Sequence, residues 1–140
     1  MSVLYLVIAL AAVAMNAFFV ASEFAIVRVR ATRIEDLVQR GVPRAAAARE
    51  VLRNLDAMIS ACQLGITLAS LALGWIGEPA FAHLLSPAFA WMGRFGPAAS
   101  HTAAIAASFL LITFLHVVIG ELVPKTIAIS HAESTALAVS

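Results

Sequence analysis

Three long stretches without a charged side chain decide what this chain can fold into. Residues 1–22 carry no charge before Glu23, residues 57–77 carry none, and residues 102–120 carry none before Glu121. A bilayer core of about 30 Å is crossed by about 20 helical residues. Backbone polar groups in hydrocarbon must be satisfied within the segment, so each stretch is expected to be a helix. Composition agrees: 62% of the residues are hydrophobic and 12% charged, against about 25% charged in soluble domains. The first stretch lacks the basic start of a signal peptide and is too long for a signal's apolar core, so it reads as a retained span. The expectation is an all-α membrane protein of one domain, residues 1–140, with spans at about 1–27, 57–78 and 102–128.

Charge orients these spans. Arg28, Arg30, Arg33, Arg40, Arg44, Arg49 and Arg53 are seven of the nine basic residues, whereas the connection from Glu78 to His101 holds only Arg94. The positive-inside rule therefore puts residues 28–56 in the cytoplasm, the N-terminus outside and residues 125–140 inside. Apolar residues recur at helical spacing through residues 29–56, with Gly41-Val42-Pro43 as a break. This predicts two short juxtamembrane amphipathic helices, lying in the headgroup layer or solvated beneath it. Residues 79–101 are interrupted by Pro79, Pro87 and Pro97, and their Phe81, Phe89, Trp91 and Phe95 suit an outer aromatic belt. Residues 130–140 read as the start of another amphipathic helix without a terminator, so the chain is expected to continue. A net charge of +1 with no aromatic-laced basic patch argues against nucleic acid, and the single Cys62 excludes an internal disulfide.

The polar residues inside the spans are few and placed in register. On the second span Ser60, Gln63, Thr67, Ser70 and Gly74 share one helical face. Together with Gly65, Ala69 and Gly77 they suit close helix packing with interhelical hydrogen bonds of about 0.6 kcal/mol each. On the first span Asn16, Val20 and Glu23 share a face, with Ser22 beside Glu23, and Asn16 lies deep enough to need partners on other helices. On the third, Thr113, His116 and Gly120 align and Glu121 adjoins them. Pro124 has no N–H to offer the Gly120 carbonyl, so a backbone oxygen and a carboxylate stand together without α-helical partners. A charge deep in a span costs about 2.5–3.5 kcal/mol on insertion scales. One bound cation would answer both groups, with the Ser/Thr hydroxyls and the Asn16 amide completing an oxygen cage. Such donors suit Mg2+ or Ca2+ rather than a soft metal, although spacing alone leaves Mg2+, Na+ and H+ open. Lys125 sits four residues beyond Glu121, close enough to pair with it, but its stem also reaches the headgroups, the preferred reading. His116 reads as a hydrogen-bonding core residue. The spans hold no Ser/His pair, HExxH or paired aspartates, which argues against an enzyme.

Three segments in order, NAFFVASEFA (16–25), CQLGITLASLALGWIGEP (62–79) and GELVPK (120–125), resemble the transmembrane domain of the CorC/cyclin-M family of magnesium transporters. The resemblance covers nearly the whole chain. It implies a homodimer in the cell membrane, Mg2+ export with Na+ as a candidate exchange ion, and a cytoplasm-facing pocket built from all three spans. Carried onto this chain, the pocket is Ser22, Glu23, Thr67, Ser70, Gly120 and Glu121, supported by Asn16, Gln63, Pro124 and Lys125. Val20 stands where relatives often carry a polar residue. Relatives continue into a cytoplasmic CBS-domain pair that binds adenine nucleotide, a part outside these 140 residues. The competing expectation is a non-transporting Mg2+ sensor that regulates other transporters through the same pocket.

Overall fold

The computed structural model describes residues 2–95 and 97–140, with side chains described outside residues 2 and 91–97. Three long apolar helices run through it. The first, α1 (Ser2–Arg28), is unbroken. A pair of short helices follows, α2 (Ala31–Gln39) and α3 (Ala45–Arg53). Gly41 (φ 68°) and Arg44 (φ 64°) make the turn between them, and glycine adopts such a left-handed conformation without steric penalty. The second long helix consists of α4 (Leu55–Ala72), a π-turn over Leu73–Gly77 and α5 (Glu78–Leu85), then tightens into a 3-10 stretch, Ser86–Phe95. The third consists of α6 (Pro97–Leu115), a π-turn over His116–Leu122 and α7 (Val123–Ser130), before the short α8 (Ala132–Val139).

Each π-turn ends two residues before a proline, Pro79 or Pro124. A proline ring clashes with the carbonyl four residues earlier and offers that oxygen no N–H. Widening the turn to i→i+5 pairing relieves the clash, and Val123 N–H duly bonds the Val118 carbonyl. The expected break at residue 78 is therefore a widened turn inside a continuous helix: the second apolar helix runs Leu55–Ala90 and the third Ala98–Ser130.

α1 is the hub. It packs on α4 and α5 on one side, and on the second π-turn, α7 and α8 on the other. Ala9, Ala12, Val13, Leu73, Phe81 and Ile112 form the core of the half remote from the arginines. Phe81 is thus buried rather than an interfacial anchor; Phe89 is half-buried, and the side chains of Trp91 and Phe95 lie outside the described residues. On α4 the buried stripe is Cys62, Gly65, Ala69 and Leu73. A Cβ on Gly65 would stand 2.5 Å from the Phe19 ring, so this glycine sets how closely α1 and α4 approach. The polar face Ser60, Gln63, Thr67 and Gly74 is exposed instead, and only Ser70 at its edge reaches another helix. The small-residue stripe, not the hydroxyl stripe, makes the tight contact.

At the arginine-bearing end, Ile34 and Leu37 of α2 pack on Ala45 and Ala48 of α3, with Leu137 of α8 against them. Arg33 joins α2 to α8 through Glu133 (2.8 Å), and Arg44 donates to the Ala138 carbonyl (2.8 Å). The hydrogen bond and charge of Glu133 raise the Arg33 guanidinium above its ordinary range.

Candidate cation site

The first and third helices meet where Gly120 lacks a side chain. A Cβ there would stand 3.0 Å from His116 Cδ2 and 3.3 Å from Asn16 Nδ2. That gap admits the Asn16 amide, which is 1% exposed and donates to the Gly120 carbonyl at 2.9 Å. The carbonyl expected to be orphaned by Pro124 therefore has a protein partner. Ser70 Oγ lies 3.4 Å from Asn16 Oδ1 and 3.2 Å from His116 Nε2. A hydroxyl has one proton to give. With His116 protonated at Nε2, a single directed chain runs from His116 to Ser70, from Ser70 to Asn16 and from Asn16 to Gly120. Asn16 finds the interhelical partners its depth required, and His116 is a hydrogen-bonding residue as expected. Among the described residues no buried side-chain nitrogen or oxygen lacks a partner.

This knot lies at the head of a cleft. α4 and α7 both pack on α1 but make no extensive contact with one another among the described residues, whereas α5 and α6 pack together. The second and third helices therefore diverge toward the arginine-bearing end. Phe19 marks the side of α1 that meets α4 and Val13 the side that meets Gly120; by helical spacing Asn16, Val20 and Glu23 lie between them. Val20 is buried and Glu23 half-buried. Gln63 and Thr67 share the face of Ser70 and Gly74 and so line the α4 wall. Thr67 Oγ1 donates to the Gln63 carbonyl (2.8 Å), leaving its oxygen lone pairs outward.

Glu121 is exposed on the third helix. In a regular α-helix residues 116 and 121 would point about 140° apart, but the π-turn brings residues five apart onto adjoining positions. The turn thus sets Glu121 closer to the His116 side than a regular helix would. No ion pair joins it to Lys125 among the described residues; the Lys125 ammonium lies 4.4 Å from the centre of the Phe24 ring. Ser22 is fully buried, bonds the Phe18 carbonyl (2.7 Å), and by helical spacing lies about 120° from Asn16. The structure does not bring it to the knot. Among the described residues no three His, Cys, Asp or Glu side chains cluster as a metal centre.

One residue with a place here escaped sequence reasoning. Glu78, half-buried, lines a cavity of about 180 Å3 with Ser70, Gly74, Thr113 and His116. Its position ahead of Pro79 made it look like the end of a span.

Residues 7–140 match the family described as "Cyclin M transmembrane N-terminal domain". The chain is 54% identical to the UPF0053 protein YhdT of Bacillus subtilis over 128 residues, 91% of this chain and 28% of that protein. It is 45% identical to YugS of the same organism, over 98% of this chain and 32% of that protein. An uncharacterized protein of Mycobacterium tuberculosis, Rv1841c, is 41% identical over 93% of this chain and 36% of its own length. The chain thus spans about a third of the length of these relatives. With three helices long and apolar enough to cross a bilayer, this match makes it a multi-pass integral membrane protein.

Proposed function

Because the chain belongs to the cyclin M transmembrane N-terminal domain family, we propose that it is the membrane-embedded, non-catalytic part of a Mg2+ transporter. The observation that supports this reading is the three-helix hydrogen-bonded knot of Asn16, Ser70, His116 and Gly120, standing where α4 and α7 diverge. The arginine-rich end is assigned to the cytoplasm by its charge, so the cleft faces the cytoplasm and the N-terminus lies outside.

Mg2+ is the cargo. It prefers oxygen donors and sheds its waters reluctantly, so it suits a site with few charged ligands and room for solvent. Glu121 and Glu23 supply charge, Thr67 and Gln63 supply neutral oxygens, and Ser70 and the Gly120 carbonyl stand behind them. The knot is the gate: Asn16 holds the Gly120 oxygen until the ion replaces that bond. Ser22 supports the floor from within α1. The natural assembly is a homodimer, with Na+ as the exchange ion and regulation by adenine nucleotide through parts of the full-length protein beyond these 140 residues.

The test uses the full-length protein in liposomes with a Mg2+-sensitive dye inside, alongside calorimetry in detergent. Wild type should bind Mg2+ and carry it above the leak of empty liposomes, and Glu121→Gln should do neither. Binding without flux in wild type would instead favour a Mg2+ sensor.

A further inference from the structure

Glu78 is a carboxylate inside an apolar helix. No lysine or arginine occurs from residue 54 to 93 or from 95 to 124, and none pairs with it among the described residues. Such a residue within a span is costly and points to a function. Two cavities share it. The inner one, about 180 Å3, is bounded by the knot residues Ser70 and His116 together with Thr113. The outer one, about 360 Å3, is bounded by Ser86, His83 and His101. Glu78 is the polar residue common to both, and its backbone oxygen is pinned to the third helix by Ser108 Oγ at 2.8 Å. Ser70 and His116 also belong to the knot that closes the cleft. From the arginine side outward the order is therefore cleft, knot, inner cavity, Glu78, outer cavity.

We propose that Glu78 and the inner cavity form a second cation site, occupied after the knot opens and before the ion is released on the far side. It rests on the transport reading above. The ligands are of the same class as those of the cleft: one carboxylate, the Thr113 and Ser70 hydroxyls, and space for an ion with several of its waters. A hard divalent cation fits these oxygens, and the single charge of Glu78 keeps the hold weak enough for release. The π-turn at Leu73–Gly77 lies between Ser70 and Glu78. Its i→i+5 pairing can slip to i→i+4, rotating Glu78 relative to Ser70, which gives the site a means of facing inward or outward.

The experiment compares wild type, Glu78→Gln and Thr113→Val of the full-length protein, each checked for thermal stability, Mg2+ binding and flux in liposomes. The expected result is Mg2+ affinity in the cleft within roughly threefold of wild type, with flux reduced roughly tenfold or more in Glu78→Gln and severalfold in Thr113→Val. Wild-type flux in Glu78→Gln would overturn the second site while leaving the transport reading intact. Absence of flux in wild type itself would overturn the transport reading and this site with it. Should Glu78→Gln fail to fold, Thr113→Val decides, and undiminished flux there overturns the proposal.

Discussion

Two glutamates, Glu78 and Glu121, occupy matching positions on consecutive helices and live in different surroundings. Glu78 directly follows a π-turn and Glu121 lies inside one, and each precedes a proline, Pro79 by one residue and Pro124 by three. Glu121 is exposed beside a cleft, next to a carbonyl already held by Asn16. Glu78 is half-buried between two cavities, with its own carbonyl held by Ser108. On the proposed transport reading, the more exposed acid suits capture of a hydrated ion and the more buried one its passage.

The sharpest way to break this division is to neutralise the two acids in turn. Glu121→Gln should reduce Mg2+ binding by a factor of ten or more, an effect of at least about 1.4 kcal/mol. Glu78→Gln should spare binding and reduce flux. Equal losses of binding in both variants, measured by calorimetry, would merge the two sites into one.

Next in size is the knot between them. Asn16→Leu removes the donor to the Gly120 carbonyl and the acceptor beside Ser70 while keeping the volume. A buried carbonyl left unsatisfied costs about 1–3 kcal/mol, so detergent-solubilised protein should unfold at a lower temperature. If the knot is also the gate, the variant leaks Mg2+ faster than wild type per folded molecule. Unchanged melting would mean that another donor replaces Asn16.

The spans were legible because a bilayer imposes a length and a polarity on any helix that crosses it. Asn16 and His116 were legible because lipid offers polar atoms no partner, so their own residue types announce a contact. Glu78 was not. A span count of about 20 residues assumes a straight, regular helix, and Gly77-Glu78-Pro79 looks like its end when it is a widened turn in the middle. The facing of α4 was misjudged for a related reason. Periodicity identifies a stripe but not its neighbour, and Gly65 against Phe19 won the contact because small residues let backbones approach. The Gly120 carbonyl looked unpaired because sequence counts only backbone donors, and the Asn16 amide comes from 104 residues away.

The prolines offer a smaller, paired test. Pro124→Ala restores an N–H and removes the ring, letting the π-turn relax toward i→i+4 pairing and swing Glu121 away from the His116 side. Mg2+ affinity should fall by roughly three- to tenfold. Pro79→Ala should leave that affinity alone and change flux only. A loss of affinity from Pro79→Ala would show that the two turns move together.

The smallest expected effect concerns what holds Glu78 in place. Ser108 is fully buried and its hydroxyl reaches across helices to the Glu78 carbonyl. That oxygen lies within a helical segment, so losing the hydroxyl removes one bond of two rather than orphaning a group. Interhelical hydrogen bonds in bilayers average about 0.6 kcal/mol, so Ser108→Ala should lower the melting temperature only slightly. Its larger signature should be kinetic: a Glu78 backbone freed from the third helix lets the Leu73–Gly77 turn rearrange more readily, so flux changes while Mg2+ affinity does not. Melting and flux both indistinguishable from wild type would mean that α5 and α6 are held by packing alone, and that Glu78 is positioned by its helix rather than by its neighbour.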